Sequence, residues 1–567
     1  MTSRPSLAIA QAARLQPITE IAATAGVLPE ELELYGRDVA KVKLSLLDRL
    51  ADRPDGKLVV ITGITPTPLG EGKTTTCIGL VDALRRLGVR AAATLRQPTL
   101  GPIFGIKGGG NGGGRAQVVP METFNLHLTG DNHAVASAHN LAAAFLDNHL
   151  HHGNALGLDV HGISWRRVTD ASDRALRGAV VGLGTKDDGV PHQTGWDITS
   201  ASEVMAMLAL TSGLKDLRAR LGRTIVGRRR NGGAAVTCDD LRVAGAMAVL
   251  LRDAVKPNLL QTLEHAPVFV HAGPFANIAP GVSSVLADRV ALKLADVVCT
   301  EAGFGADLGG EKFFDIKCRV GGLHPAAGVV VATIRALKMH GGVGKVVAGK
   351  PLDPALLQEN VEAVRRGCDN LGKQIENVRR FGVPVVVAIN AFPSDTPAEL
   401  AAVREAALAA GAVAAAASTH FADGGAGALA LAEALQVALR QPASYAPLYS
   451  DDLPLAVKLE VVARAIYGAD GVDLSPVAAR QLDEFERLGF RQLPVCVAKT
   501  HLSLSHDPKL LGRPHGFRLP VREARLSAGA GFVTAIAGDM RLMPGLPSRP
   551  AGEDIDLDEA GNIVGLY

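Results

Sequence analysis

Residues Leu58 to Thr76 read LVVITGITPTPLGEGKTTT, and this stretch decides the fold class. It opens as an apolar, β-branched run, Leu58 to Ile61. It then passes through Thr65-Pro66-Thr67-Pro68 and closes on Gly70-Glu71-Gly72-Lys73-Thr74. The following CIGLVDALRRLG has a helical apolar period and stops at Gly88, so the order is strand, phosphate loop, helix. Glycines let backbone N–H groups turn onto phosphate oxygens, the helix N-terminus adds partial positive charge, and the lysine reaches the terminal phosphates. The hydroxyl after that lysine is the usual Mg²⁺ ligand. These rules place nucleotide on Thr67, Pro68, Leu69, Gly70, Glu71, Gly72, Lys73 and Thr74, with Mg²⁺ on Thr74. One residue departs from the GxxxxGK[ST] pattern: Thr67 stands where it has glycine.

Composition narrows the function classes. A chain of 567 residues is too long for one compact core, and Lys plus Arg (59) nearly balances Asp plus Glu (57). A net charge of +2 gives no field directed at nucleic acid or anionic membrane. The triplet Arg228-Arg229-Arg230 reads as a solvated loop. Aromatics are 4% of residues, so the core must be built mainly of Ala, Val, Leu and Ile, which suits helices packed on a parallel sheet. The six cysteines have no CxxC spacing, which fits a reducing compartment. No apolar leader or membrane-length run occurs, and the expectation is a cytoplasmic protein.

Outward from the loop, residues 1 to 55 read as short helices, with a helix start at Pro29-Glu30-Glu31-Leu32 and a helical period over Val42 to Leu50. Val89 to Leu95 reads as a second strand ending at Arg96, and ligands of open α/β sheets sit beyond such strand ends. Arginine offers a planar fork matched to carboxylate or phosphate. The glycine run Gly108 to Arg115 reads as a loop that comes close to a ligand. Pro267–Val270, Val297–Cys299 and Val329–Ala332 read as further parallel strands. His271, after the first of them, reads as a structural histidine, and Ser505-His506-Asp507 is a string in sequence rather than a triad.

A Gly/Pro-bearing break from Gly341 to about Leu357 separates a helix-like run, Leu357 to Arg380, from what precedes it. Two more strands, Pro384 to Ile389 and Val413 to Ala417, lead into Phe392 and Phe421. Those rings are a hydrophobic plug or a pair of plates for a flat heterocycle, and the residues alone leave both open. The expected division is 1–357, a nucleotide-binding domain with a helical arm, then 358–490, an α/β domain, then 491–567, a small C-terminal domain. The fold class is α/β, a P-loop-type parallel sheet flanked by helices with two smaller α/β domains.

The strings TPTPLGEGKTTT, LRQPTLGPIFGIKGG, QVVPMETFNLHLTGD, WRRVTDASDRALR, KPNLLQTLEHAPVFVHAGPFANIA, TEAGFGADLG, VATIRALKMHGG, LPVCVAKTHLSLSHDP and GNIVGLY occur in that order. Together they resemble the formate–tetrahydrofolate ligase family along essentially the whole chain. Arg115 stands where the family carries Tyr, Gln97 where many bacterial members carry Glu, Phe421 where it carries Trp, and Pro280 where it carries His.

The resemblance implies ATP-dependent ligation of formate to tetrahydrofolate through formyl phosphate. It implies Lys73 and Arg96 as catalytic residues, with Phe392, Pro393 and Phe421 around the pterin. It also implies a homotetramer, no nucleic-acid or membrane partner, and a monovalent cation that stabilises the assembly. The GKTTT ending is shared with partition-type switch ATPases, the rival class. Against that class, Asn390-Ala391-Phe392-Pro393 is not a guanine-reading NKxD string and no cysteines sit at cluster spacing. A third class, a dead scaffold, requires loss of Lys73 or Arg96, and both are present.

Overall fold

The computed structural model describes residues 6–107, 109–230, 233–346, 351–538 and 540–566, and the side chain of Lys107 lies outside that description. Twelve strands form the main sheet: β1 (Leu32–Leu34), β2 (Ala40–Val42), β3 (Lys57–Gly63), β4 (Ala91–Leu95), β5 (Gly112–Gly113), β6 (Ala116–Val119), β7 (Asn258–Thr262), β8 (Pro267–Val270), β9 (Val297–Glu301), β10 (Pro325–Ala332), β11 (Val385–Asn390) and β12 (Ala414–Ser418). Their order is β1-β2-β7-β8-β4-β9-β3-β10-β11-β12, with β6 paired to β7 and β5 to β6. Every pairing from β8 across to β12 is parallel. The edge made of β1, β2, β7 and β8 is antiparallel.

The alternation within β3 explains why the sheet is covered on both faces. Val59 and Ile61 join a core with Ile78, Leu80, Val81 and Leu84 of helix α1 (Lys73–Arg86). Leu58 and Val60 join a core on the opposite face with Val290 and Ala291 of α2 (Val285–Leu294) and Leu371 and Ile375 of α3 (Val361–Arg379). Side chains along a strand point alternately to opposite faces, so an unbroken apolar run is satisfied only by helices on both sides. Full burial of each such Val, Leu or Ile contributes roughly 1.5–3 kcal/mol, which makes the centre of the sheet the most strongly held part.

The helices and strands expected around the phosphate loop are present, and so are the runs around residues 267, 297, 329, 385 and 414. The arm before residue 55 differs. It holds short helices Ser6–Gln11, Ile18–Ala25 and Ser45–Arg49, but also the hairpin β1–β2, which a helical period does not reveal. The start signal at Pro29 is used on a single 3₁₀ turn, Pro29–Glu31, in which Glu31 takes the Leu28 N–H at 2.9 Å and the Arg49 Nε at 2.6 Å. Tertiary pairing decides the rest, because Ala40 and Lys41 hydrogen-bond along β7.

Residue 357 falls within the span of the large sheet, since β11 continues it through Gly328↔Val385 and its neighbours. A second sheet of four strands, β13 (Gly471–Leu474), β14 (Val495–Ala498), β15 (Arg518–Ser527) and β16 (Phe532–Ala537), runs in the order β13-β15-β16-β14. It packs close to the large sheet's strand ends, where Lys499, just past β14, meets Asp307, beyond β9, at 2.8 Å.

Candidate functional site

The loop after β3 is built to hold its shape. Gly70 and Gly72 both have φ of 77°, the left-handed region that glycine occupies without strain, and Gly72 is the N-cap of α1. Lys73 is therefore the first helical residue. A Cβ at Gly63 would lie 3.5 Å from Lys73 Cδ and 3.2 Å from the Val331 carbonyl, so this glycine gives the lysine stem room along the strand end. Glu71 is buried and ties three segments together. Its carboxylate accepts the Thr67 N–H at 2.7 Å and the Thr333 hydroxyl, and its carbonyl accepts Asn390 Nδ2 at 2.8 Å.

Thr67 is buried while Pro68 and Leu69 are exposed. A threonine fits at position 67 because its φ lies outside the left-handed region. Thr65 is held just as firmly: Asn370 bonds its N–H at 3.0 Å and its hydroxyl at 2.9 Å, and His340 Nε2 bonds its carbonyl at 2.8 Å. His340 Nδ1 takes the Gly512 N–H at 3.2 Å, which puts the proton on Nε2. Burial lowers its pKa, so the ring bridges as a neutral imidazole.

Around the start of α1 the parallel strands bring together residues far apart in sequence. Arg96 follows β4 and Glu301 ends β9, and the two strands are hydrogen-bonded neighbours with Thr94 opposite Thr300. Glu301 Oε2 accepts the Thr74 hydroxyl at 2.5 Å, and Glu301 Oε1 lies 3.4 Å from Arg96 Nε. The Arg96 side chain is 22% exposed, enough for a small anion to reach it. Gly303 makes room for the guanidinium: a Cβ there would lie 2.9 Å from Arg96 Nη1 and 2.7 Å from Ala276 Cβ. Next along the chain Phe304 takes φ of 61° and stacks on His501 with centroids 4.3 Å apart. One carboxylate thus faces a guanidinium and a hydroxyl in the first turn of a helix, an arrangement that holds Arg96 beside a helix N-terminus where an anion is favoured.

Phe392 and Pro393 follow β11 and are exposed, and Phe421 lies in the short helix His420–Asp423 after β12. Asn390 and Ser418 are partners across these strands, so both rings leave adjoining carboxyl ends. Their surroundings differ. The Arg335 guanidinium lies 4.5 Å over the Phe392 ring. Phe421 is backed by the glycine run: its carbonyl accepts the Arg115 N–H at 2.8 Å, and a Cβ at Gly113 would stand 3.0 Å from its Cε2. The run forms the β5–β6 hairpin, pinned by Asn125 on the Gly110 N–H at 2.8 Å, while Gly108 lies outside the described residues. The open groove beside Phe421 is lined by Arg115, Thr419 and Asp423.

The remaining sequence candidates are structural. Burial pulls His271 down to about 4, and its nitrogens meet Ser284 Oγ at 2.7 Å and the Ala254 carbonyl at 2.6 Å. Ser505 Oγ donates to the Asp507 carbonyl at 3.1 Å within its own turn. All six cysteines are free and buried. Among the described residues no group of three His, Cys, Asp or Glu could hold a metal ion, and no helix is long and apolar enough to cross a membrane. Sequence reasoning counted Glu71 among the nucleotide-loop residues but not as the clamp to Thr333 and Asn390, and it missed Glu301. The one signal for Glu301 is its place at the end of an apolar run, beside the strand that ends at Arg96.

The fold is that of an α/β protein with a largely parallel central sheet, and the candidate site lies at the carboxyl ends of its parallel strands, around one strand–loop–helix turn. The model of the family "Formate--tetrahydrofolate ligase" matches residues 4–567. A protein of that name from Roseiflexus sp. (strain RS-1) is 59% identical over 560 residues, covering 99% of each chain. One from Saccharopolyspora erythraea is 58% identical over 566 residues, covering 100% of each, and one from Cutibacterium acnes is 56% identical over 564 residues with the same coverage. The chain belongs to the formate–tetrahydrofolate ligase family.

Proposed function

We propose that the protein joins formate to tetrahydrofolate at the expense of ATP, giving 10-formyltetrahydrofolate, ADP and phosphate. The observation that carries this reading is the placement of Lys73, Thr74, Arg96 and Glu301 around one glycine-rich loop. Such a loop is a phosphate cradle of the P-loop type, with Thr67 to Thr74 holding the phosphate chain and Lys73 on its terminal phosphates. Phosphoryl transfer needs positioning and charge neutralisation more than a protein nucleophile.

In the first step a formate oxygen bonds to the γ-phosphorus, the bond to the β,γ-bridging oxygen breaks, and ADP leaves. Arg96 binds formate through its planar fork and then steadies formyl phosphate. In the second step N10 of tetrahydrofolate bonds to the formyl carbon, the C–O bond to phosphate breaks, and the N10 proton leaves on phosphate. Phe392, Pro393 and Phe421 hold the pterin by stacking. The Thr74 hydroxyl and the Glu301 carboxylate are hard oxygen donors, the set that Mg²⁺ takes together with phosphate oxygens. Bound there, Mg²⁺ would neutralise phosphate charge.

The reading carries with it a cytoplasmic homotetramer stabilised by a monovalent cation, and light scattering with and without potassium tests that assembly. The central test is an end-point assay with MgATP, formate and tetrahydrofolate, in which acid converts product to the 5,10-methenyl form that absorbs in the near ultraviolet. Signal that needs all three substrates supports the ligase. ATP hydrolysis indifferent to formate and folate sends the protein to the switch-ATPase class instead.

A further inference from the structure

Arg335 lies in the helix Ile334–His340 that follows β10, and the proposed reaction gives it no role. Its Cζ stands 4.5 Å over the Phe392 ring, and its Nη2 points to the Gly70 carbonyl of the phosphate loop at 3.4 Å. Its Nε–H is buried and has no acceptor among the described residues. Burial raises the pKa of Asp395, opposed first by the Phe392 N–H that its Oδ2 takes at 2.8 Å and then by the nearby charges of Lys338 and Arg335. One guanidinium therefore touches both the loop and the aromatic plate. Phe392 itself is 37% exposed, so surface remains on it for a ligand.

We propose that Arg335 is a positioning residue that couples the nucleotide loop to the folate plate, so that each ligand raises the affinity for the other. The inference rests on the reading that places the pterin on Phe392. A guanidinium can stack on a ring with its face while donating in its plane, which an ammonium cannot do from one position. A nucleotide on the loop fixes the Gly70 carbonyl, which fixes Arg335, which fixes Phe392. The second ligand then meets a layer that is already ordered and loses less conformational entropy on binding. Linkage requires the effect to be reciprocal.

The test is titration calorimetry of folate into nucleotide-free and MgADP-saturated protein, and of MgADP with and without folate. The wild-type protein should show a ratio of about fivefold or more, equal in the two directions. Arg335→Gln should bind both ligands with the ratio reduced to about one. A ratio of one in the wild type, or an undiminished ratio in Arg335→Gln, overturns the coupling role. If thermal melting shows Arg335→Gln unfolded, Arg335→Lys takes its place, because it keeps the charge and loses the planar fork. Phe392→Ala separates the two layers of the argument. Unchanged folate affinity in Phe392→Ala removes the pterin from this ring and overturns the underlying reading. Weakened folate in Phe392→Ala beside intact coupling in Arg335→Gln removes only the role of Arg335.

Discussion

The guanidinium of Arg96 stands 3.4 Å from the carboxylate of Glu301, close enough for attraction but longer than a well-formed ionic hydrogen bond. The other Glu301 oxygen is committed to the Thr74 hydroxyl at 2.5 Å. Arg96 is therefore held in position by a partner that leaves much of its donor fork unspent. A buried site that carried the same charge fully paired would have little left to give an arriving carboxylate.

Glu301→Gln should lower turnover and weaken Mg²⁺ dependence together. The amide keeps the shape but removes the charge that faces both Thr74 and Arg96. Loss of a supporting group of this kind lowers metal affinity or activity by roughly 10–100-fold. Titrating Mg²⁺ at saturating ATP checks it, and an unchanged Mg²⁺ midpoint with normal kcat would remove Glu301 from the site.

Arg96→Lys should cost roughly 10²–10³-fold in kcat/KM for formate, because one positioned donor to a reacting oxyanion carries about that much. The KM for ATP should stay near the wild-type value, since Arg96 follows β4 and not the phosphate loop. Steady-state kinetics with formate and ATP varied in turn separates the two. Equal losses for both substrates would count against a formate-specific role.

Gly114→Ala should raise the KM for tetrahydrofolate about tenfold, the equivalent of one lost aromatic stack at the upper end of its usual range. Gly114 has φ of 58°, and a Cβ there would lie 2.0 Å from the Phe421 carbonyl oxygen, so the helix carrying Phe421 must shift. The KM for ATP provides the internal control. Phe421→Trp should act in the opposite direction and tighten folate.

Glu203 links stability to pH. Burial raises its pKa to about 7, opposed by the N–H groups of Ala530 and Gly529 and by Arg223. A carboxyl raised in the folded state binds its proton more tightly there than in the unfolded chain. Its contribution is present in full below the unfolded value near 4.5 and is lost as pH rises through about 7. Glu203→Gln should therefore gain on the wild type by of order 1–3 kcal/mol between pH 5 and pH 8. Denaturant midpoints across that range test it, and a pH-independent gap would show that the group stays ionised.

Lys499→Met should destabilise the protein by about 3–5 kcal/mol, because it leaves Asp307 charged and buried without its partner. Lys499 Nζ also donates to the Ser503 carbonyl at 2.6 Å, so the change loosens the turn after β14 as well. Urea unfolding checks the magnitude. Lys499→Met paired with Asp307→Asn should recover much of the loss, since the orphaned charge is then gone.

The sequence by itself determined the α/β class, the strand–loop–helix turn and the membership in the family. Those properties are local. Leu58 to Ile61 is apolar on both faces, Gly70 and Gly72 allow the backbone their turn needs, and the helical period begins where the glycines end. Arg96 was legible for the same reason, as a charged residue at the end of a strand. What only the tertiary structure decided is how distant segments meet. Glu301 joins Thr74 and Arg96 because β9 lies beside β4 and β3, and strand order is set by packing rather than by any local period. Glu71 looks like a loop carboxylate in sequence, yet it is buried and clamps the loop to Thr333 and Asn390. The hairpin β1–β2 was hidden because three-residue strands carry no periodicity and exist only through pairing, β1 with β2 and β2 with β7. Phe392 and Phe421 were visible as rings past strand ends, but not that Arg335 covers one and a glycine hairpin backs the other. Such contacts depend on long-range packing, which a linear pattern does not encode.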